Sequence, residues 1–335
     1  MARLSSQFVS RSHQRARDAL AGFPTASLAR YPTPLEELPR LRGAVGTGPR
    51  LLAKRDDAIS FGLGGNKVRK LELVLAQATG EGADTVVTIG GVHSNHARVT
   101  AAAAARLGMA CVLIINGERP AHPTGNARLQ ELAGARIEYV PDRASRVPAM
   151  ERAVERLRAE GRRPFAVPLG ASTPVGAMGY ARAVGELVSQ GMVPDAIVVA
   201  SSSGGTLAGL LAGIELHALA TRVVAISADD PAADIAATVR GILDGMSPLL
   251  GLDVPLAGGL GIEVDDTFVG EGYGVATPAS VEATELAART EGLFLDPTYT
   301  AKAMAGLISY VRAGRFRSDE TVVFWHTGGT VELVA

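Results

Sequence analysis

The sequence predicts an α/β protein in two domains, with parallel sheets flanked by helices, and three observations carry that expectation. From residue 50 onward, short β-branched runs alternate with longer segments of helical period. The strand-like runs, such as 111–115 and 196–200, are apolar throughout rather than at every second position, as strands buried on both faces are. The chain has 335 residues, enough for about two domains at roughly 150 residues each.

Taken in order, the first thirty residues carry Arg3, Arg11, Arg15 and Arg17 among Ser and Ala, with no acid before Asp18. That is a faint likeness to a transit peptide, but the continuous apolar stretch of a secretory signal is lacking, so the expectation is an N-terminal helical extension. Strands are expected over 51–54, 85–89, 110–115, 136–140, 165–168, 196–200, 222–227 and 321–325. Helices are expected over 66–78, 95–107, 124–132, 147–160, 175–190, 206–218, 278–291 and 299–312. The segment 229–274 gives the weakest pattern.

Composition removes several function classes. Hydrophobic residues make up 47% and charged residues 20%, the balance of a folded soluble protein. Thirty-three Lys plus Arg offset 34 Asp plus Glu for a net charge of −1, so no general positive field exists to hold a nucleic acid. No apolar run approaches the ~18 residues of a membrane span. The one cysteine, Cys111, lies in an apolar run and cannot pair within the chain, which fits a core thiol in a reducing, cytoplasmic setting.

In open α/β sheets ligands gather where strands end and helices begin, and four such loops carry polar chemistry. Ser201, Ser202, Ser203, Gly204, Gly205 and Thr206 lead from an apolar strand into a helix, where backbone N–H groups and hydroxyls can cradle a phosphate; a plain tight turn reads equally well. Lys67 falls one residue into the helix after Gly62, Gly64 and Gly65, and the field of a helix N-terminus lowers the pKa of such an amine, as Schiff-base chemistry requires. The alternative is a solvated basic face made by Lys67, Arg69 and Lys70. Ser94, Asn95 and His96 open another helix after Gly90 and Gly91; one of them is needed as a cap, and three exceed that need. His93 and His96 lack further metal ligands at suitable spacing. The last loop is His326, Thr327, Gly328 and Gly329, at the end of a buried strand.

Together and in this order, the motifs Gly-Gly-Asn-Lys-x-Arg-Lys-Leu-Glu (64–72) and Ser-Asn-His (94–96) resemble those of the D-cysteine desulfhydrase and 1-aminocyclopropane-1-carboxylate deaminase family, whose fold is that of tryptophan synthase β. The likeness runs from about Tyr31 to the C-terminus. It implies pyridoxal 5′-phosphate as cofactor, bound covalently by Lys67, with Asn95 on its 3′ oxygen, the 201–206 loop on its phosphate and Thr327 facing its pyridine nitrogen. It further implies that Ser94, Asn95, His96 and Tyr299 meet the substrate and that Lys67, Ser94, Tyr273 and Tyr299 share the catalytic work. A hydroxyl opposite the pyridine nitrogen leaves the ring a weaker electron sink than a carboxylate does, which favours expulsion of a β-substituent.

The same likeness implies a larger domain from 1–69 and 179–335, a smaller mobile one from 70–178, and a homodimer. Within the family, ring-opening members carry Glu where this chain has Thr300, and tend to carry Gln where it has His96. The expectation is therefore a β-elimination lyase that takes a small amino acid, D-cysteine, to pyruvate, sulfide and ammonia. His93 in place of Gln and Ser202 in place of Gly keep an L-cysteate sulfo-lyase as an alternative, beside the cyclopropane deaminase. Readings of another class are a dinucleotide-dependent oxidoreductase, which lacks its G-x-G-x-x-G signature here, and a non-catalytic binding protein.

Overall fold

The computed structural model describes residues 2–46 and 48–334, the first nine of them as backbone only. In chain order the elements are α1 (Ala2–Gly22), β1 (Leu35–Glu37), α2 (Pro39–Val45), β2 (Arg50–Arg55), α3 (Lys67–Gly80), β3 (Thr85–Gly91), α4 (Asn95–Arg106), β4 (Ala110–Asn116), α5 (Gly125–Leu132), β5 (Arg136–Val140) and α6 (Arg146–Ala159). They continue with β6 (Pro164–Val167), α7 (Pro174–Ser189), β7 (Ala196–Ser201), α8 (Gly205–Leu216), β8 (Arg222–Ser227), α9 (Ala232–Leu249), β9 (Glu263–Asp265), α10 (Pro278–Glu291), α11 (Thr300–Arg312) and β10 (Thr321–His326).

Two sheets result. One has the order β1-β2-β10-β7-β8-β9 and is parallel except for the β1–β2 pair; the other is the parallel set β5-β4-β3-β6. Strand β10 shows why its sequence is apolar throughout. Val323 and Trp325 enter a core shared with α7, α8 and α9, while Val322 and Phe324 enter one shared with α2, α10 and α11. With helices on both faces, every side chain of the strand after Thr321 is withdrawn from water, and full burial of an aliphatic or Phe side chain contributes about 1.5–3 kcal/mol. Cores on the two faces of the smaller sheet are built with α3 and α4 on one side and α6 on the other. Cys111 is buried there, and its burial pushes the thiol up to about 12.

Each expected strand and helix occurs, with ends shifted by one or two residues; the helix expected from 299 begins at Thr300, and the strand expected over 165–168 is Pro164–Val167. The N-terminal extension is helical, as expected. Strands β1 and β9 were not anticipated, because three residues with the sequences Leu-Glu-Glu and Glu-Val-Asp offer no periodicity to read. Helix α9 lies in the segment of weakest pattern. Yet it buries Ile235, Val239, Ile242, Leu243 and Met246, a spacing of four, three, one and three that marks one helical face. Among the described residues no helix is long and apolar enough to cross a membrane.

Helices α3 and α7 pack on each other and lie between the sheets: Leu73 joins the core of the larger sheet, while Val68, Leu71 and Leu75 join that of the smaller. The carboxyl ends of β3, β7 and β10 all open toward the first turns of α3, α4 and α8. That convergence sets the position of the site.

Candidate active site

A cavity of about 330 Å³ is lined by residues of all four loops singled out above: Gly64 to Lys67, Ser94 to His96, Ala200 to Gly204 with Thr206, and Thr327 to Gly329. Tyr273 and Tyr299 line it too. The structure thus brings together residues spread over more than 260 positions of sequence.

Glycine is required where two of these loops touch. Gly64 has φ +74°, and a Cβ there would lie 2.2 Å from the Asp57 carbonyl oxygen; a Cβ on Gly328 would lie 2.6 Å from Gly65 Cα. The backbone contact is sealed by Asn66 N–H donating to Thr327 O at 2.9 Å. So the end of β10 and the start of α3 are held edge to edge, and Lys67 emerges at the first helical residue with Thr327 beside it.

The Lys67 amine is half-buried; Nζ donates to Asn66 Oδ1 at 2.9 Å and lies 6.0 Å from the centroid of the Tyr299 ring. Burial lowers its pKa to about 8, with Arg98 adding to the shift and Asp296 opposing it. The direction is the one the sequence suggests, but the cause is different: desolvation dominates, where the helix N-terminus was expected to act. A neighbour that sequence reasoning placed only in a basic face, Lys70, is 1% exposed, and its Nζ has Ser172 Oγ at 3.3 Å as partner. Burial, then the charge of Lys67, holds its pKa well below the ordinary lysine value.

At the phosphate-type loop, Gly204 adopts a left-handed conformation, φ 76°, and caps α8. Ser203 Oγ pairs with Ser172 Oγ at 2.8 Å, and Gly205 N–H donates to Ser172 Oγ at 3.2 Å. Thr206 Oγ1 accepts from Asn66 Nδ2 at 2.9 Å, which joins this loop to the lysine loop. Ser201 Oγ is buried without a partner among the described residues, and the N–H groups of Ser202, Ser203, Gly204 and Thr206 likewise find no protein acceptor there. A buried orphan hydroxyl, unpaired N–H groups at a helix start and an uncompensated lysine form a donor set that fits a phosphate dianion.

Ser94 caps α4, its Oγ accepting from Ala97 N–H at 3.1 Å. Asn95 Oδ1 accepts from Asn126 Nδ2 at 3.1 Å and Arg98 Nη2 at 3.2 Å, so the amide orientation is fixed and Nδ2 is left as the free donor. Arg98 also donates to the carbonyls of Gly62 and Gly64 and so ties α4 to the lysine loop. Neither Arg98 nor Asn126 was found by sequence reasoning, since nothing in a helical Arg or an isolated Asn signals a partner elsewhere in the chain.

His96 lines the cavity too but is 3% exposed, and its Nε2 pairs with Thr88 Oγ1 at 2.8 Å and its Nδ1 with Thr100 Oγ1 at 3.4 Å. Burial, with the nearby charges of Lys67 and Lys70, keeps the ring neutral by lowering its pKa well below the ordinary value. Both nitrogens are thus committed inside the smaller sheet's layer. His93, flagged for its departure from the family pattern, is exposed, and its carbonyl accepts from Asn126 Nδ2 at 2.7 Å.

Tyr273 and Tyr299 pack edge to face with centroids 5.7 Å apart and share a hydrogen bond between their hydroxyls. Burial drives the Tyr299 phenol well above its ordinary value; Tyr273 keeps 41% of its surface exposed, and desolvation on its shielded side raises its phenol in the same direction. Tyr299 stands at the cap of α11, where its N–H donates to Asp296 Oδ2 at 2.8 Å. Asp296 Oδ1 accepts from Thr300 Oγ1 at 2.6 Å, so the Thr300 hydroxyl is buried in a cap and does not line the cavity. From the smaller sheet's side, Arg143 pairs with Asp229 at 2.9 Å and lies 4.9 Å from the Tyr273 ring centroid.

Comparison with known proteins agrees with this geometry. The family model described as pyridoxal-phosphate dependent enzyme matches residues 26–328. The D-cysteine desulfhydrase of Salmonella typhi is 38% identical over 334 residues, covering 94% of this chain and 97% of the relative. Among solved structures, an ACC deaminase homologue superposes with a TM-score of 0.88 at 35% identity, with 96% of each chain covered. A pyridoxal 5′-phosphate-dependent aspartate racemase, at 18% identity and a TM-score of 0.69, shares the fold. These matches leave no place for the dinucleotide-dependent oxidoreductase; the chain belongs to the family of pyridoxal-phosphate dependent enzymes.

Proposed function

We propose that the protein is a lyase that eliminates the β-substituent of D-cysteine to give pyruvate, sulfide and ammonia. The observation that carries this reading is the meeting of the Lys67 amine, lowered to about 8, with a phosphate-type donor set and a pair of protonated tyrosines around one cavity. Similarity to the D-cysteine desulfhydrases supports the choice of substrate. So does Thr300, whose hydroxyl is held by Asp296 and supplies no acid or base to the cavity, as opening a carbon ring would require.

Bound here, pyridoxal phosphate supplies an electron sink for the pair left behind when a substrate's α-proton departs. Lys67 would hold the cofactor at its aldehyde, and its amine is placed to take the substrate's α-proton on its own side of the site. Ser201, Ser202, Ser203, Gly204, Gly205 and Thr206 would bind the phosphate, with Lys70 providing the compensating charge. Asn95, with Nδ2 left as a free donor, would hold the ring's 3′ oxygen, and Thr327 would offer its hydroxyl to the pyridine nitrogen. Ser94 and Asn95 orient the substrate carboxylate. Tyr299 and Tyr273, neutral across the physiological range, donate a proton to the departing thiolate.

We assign the smaller sheet's unit, 70–178, the role of closing over bound substrate and excluding water; the Arg143–Asp229 pair across the cleft supports this. We also propose a homodimer in the cytoplasm; the buried, unpaired Cys111 is consistent with a reducing compartment. Light scattering of the purified protein tests the first, and fractionation of the native cell the second.

The test of function is to supply D-cysteine, L-cysteine, L-cysteate and 1-aminocyclopropane-1-carboxylate in parallel. Sulfide with pyruvate from D-cysteine as the fastest reaction is expected. Sulfite from L-cysteate, or 2-oxobutanoate from the cyclopropane acid, at a higher kcat/KM would replace this reading.

A further inference from the structure

Lys302 is one of the largest fully buried side chains, at 0% exposure, and none of the roles above uses it. It lies one turn after Tyr299 on α11, and its Nζ donates to three backbone carbonyls: Gly272 at 2.7 Å, Val269 at 2.8 Å and Ala228 at 3.0 Å. Three acceptors around one nitrogen need three hydrogens. Only the ammonium form has them. Burial pulls this lysine's pKa down, and the carboxylates Asp229 and Asp296 work against that.

What the ammonium gathers is specific. Gly272 precedes Tyr273, and its φ of +138° suits glycine, so the carbonyl that Lys302 holds fixes the chain just before the phenol. Ala228 opens the bend after β8; its N–H donates to Ser201 O at 2.9 Å, and the next residue, Asp229, pairs with Arg143. One cation therefore joins the loop of Tyr273, the turn beside the phosphate-type loop and the helix that Tyr299 caps.

We infer that Lys302 is a positioning residue, a built-in monovalent cation that draws three carbonyls together and thereby sets Tyr273 against Tyr299. The inference rests on the proposed role of the two tyrosines only for its effect on turnover. Shortening the side chain leaves three carbonyl oxygens converging on one point, where a free ammonium or potassium ion can take the place of Nζ and the bulkier tetramethylammonium cannot.

The experiment compares wild type and Lys302→Ala in tetramethylammonium, ammonium and potassium chloride at equal ionic strength. In tetramethylammonium the variant's kcat falls by at least about tenfold, a part of the roughly 10²–10⁴-fold that a positioned proton donor contributes. KM and the absorbance of the bound cofactor stay near wild type. Ammonium or potassium restores kcat severalfold and raises the Tm of the cofactor-free variant, while leaving wild type unmoved. Wild-type kcat in the variant, or a loss of kcat and Tm that neither small cation changes, would overturn the inference. If the alanine variant is insoluble, Lys302→Met fills the same channel without charge. It should fold, bind cofactor and lose kcat without rescue, and full activity would again overturn the idea. Tyr273→Phe separates the two claims: if it is fully active, the tyrosine role fails, while the cation-dependent Tm still reads Lys302.

Discussion

The hydroxyls of Tyr273 and Tyr299 hydrogen-bond to each other although one residue belongs to a glycine-bounded loop and the other to the cap of a helix 26 residues later. Because both phenols are raised, neither ionises in the physiological range, and in the proposed reaction the pair would act as a proton donor rather than as a base. Tyr299→Phe should lower kcat by roughly 10²-fold or more, within the range for loss of a positioned acid, while cofactor affinity stays within a factor of a few. Steady-state kinetics beside a cofactor titration check this, and an unchanged kcat would remove Tyr299 from the chemistry.

The Lys67 amine, lowered to about 8, gives a pH dependence with a definite sign. Below that value the protonated form dominates and cannot attack an aldehyde; above it the neutral amine dominates. The rate at which cofactor-free protein captures pyridoxal phosphate should therefore rise with pH and level off above about 8. Stopped-flow absorbance measures it. A rate still climbing toward pH 10, as for an ordinary lysine of about 10.4, would mean that burial does not control this amine.

Lys70 should matter for the phosphate and not for the ring. Loss of a hydrogen bond to a charged group costs about 1.5–3 kcal/mol, or roughly 10–150-fold in affinity. Lys70→Ala should weaken pyridoxal phosphate by that factor yet leave unphosphorylated pyridoxal nearly unaffected. Equal losses for both compounds would place Lys70 elsewhere.

Beneath the site, Asp56 is fully buried and accepts from Arg69, from Tyr180 at 2.6 Å, from Trp325 at 2.9 Å and from Thr33 at 3.0 Å. Burial alone raises a carboxyl, but Arg69 and these donors outweigh it and hold Asp56 below its ordinary value. Its stabilising effect is thus present above the unfolded carboxyl pKa of ~3.9 and lost as pH falls through the lower folded value. Asp56→Ala, which leaves the Arg69 charge short of a partner, should cost about 3–5 kcal/mol at neutral pH. Denaturant unfolding reads this, and a cost below about 1 kcal/mol would show the network to be dispensable.

Much of this site is legible in the chain because its parts are local. A glycine pair before a lysine, a Ser-Asn pair after a strand and two glycines after β10 each combine a backbone requirement with a side chain in the same few residues. What stayed hidden depends on distance. Lys70 reads as surface charge until the turn before α7 brings Ser172 over it, and Arg98 reads as helix until Gly62 and Gly64 meet it. Lys302 has no local feature at all, since its three acceptors are backbone atoms 30 to 74 residues away. The partners of His96 were hidden in the same way: both of its ring nitrogens are paired, with Thr88 and Thr100.

The most direct test of the account is to reduce the cofactor-loaded protein with borohydride and map the modified peptide by mass spectrometry. The phosphopyridoxyl group should sit on Lys67, and Lys67→Ala should leave no modified lysine and no cofactor absorbance. A label on Lys70 or any other lysine in wild type, with Lys67 unmodified, would contradict the central claim.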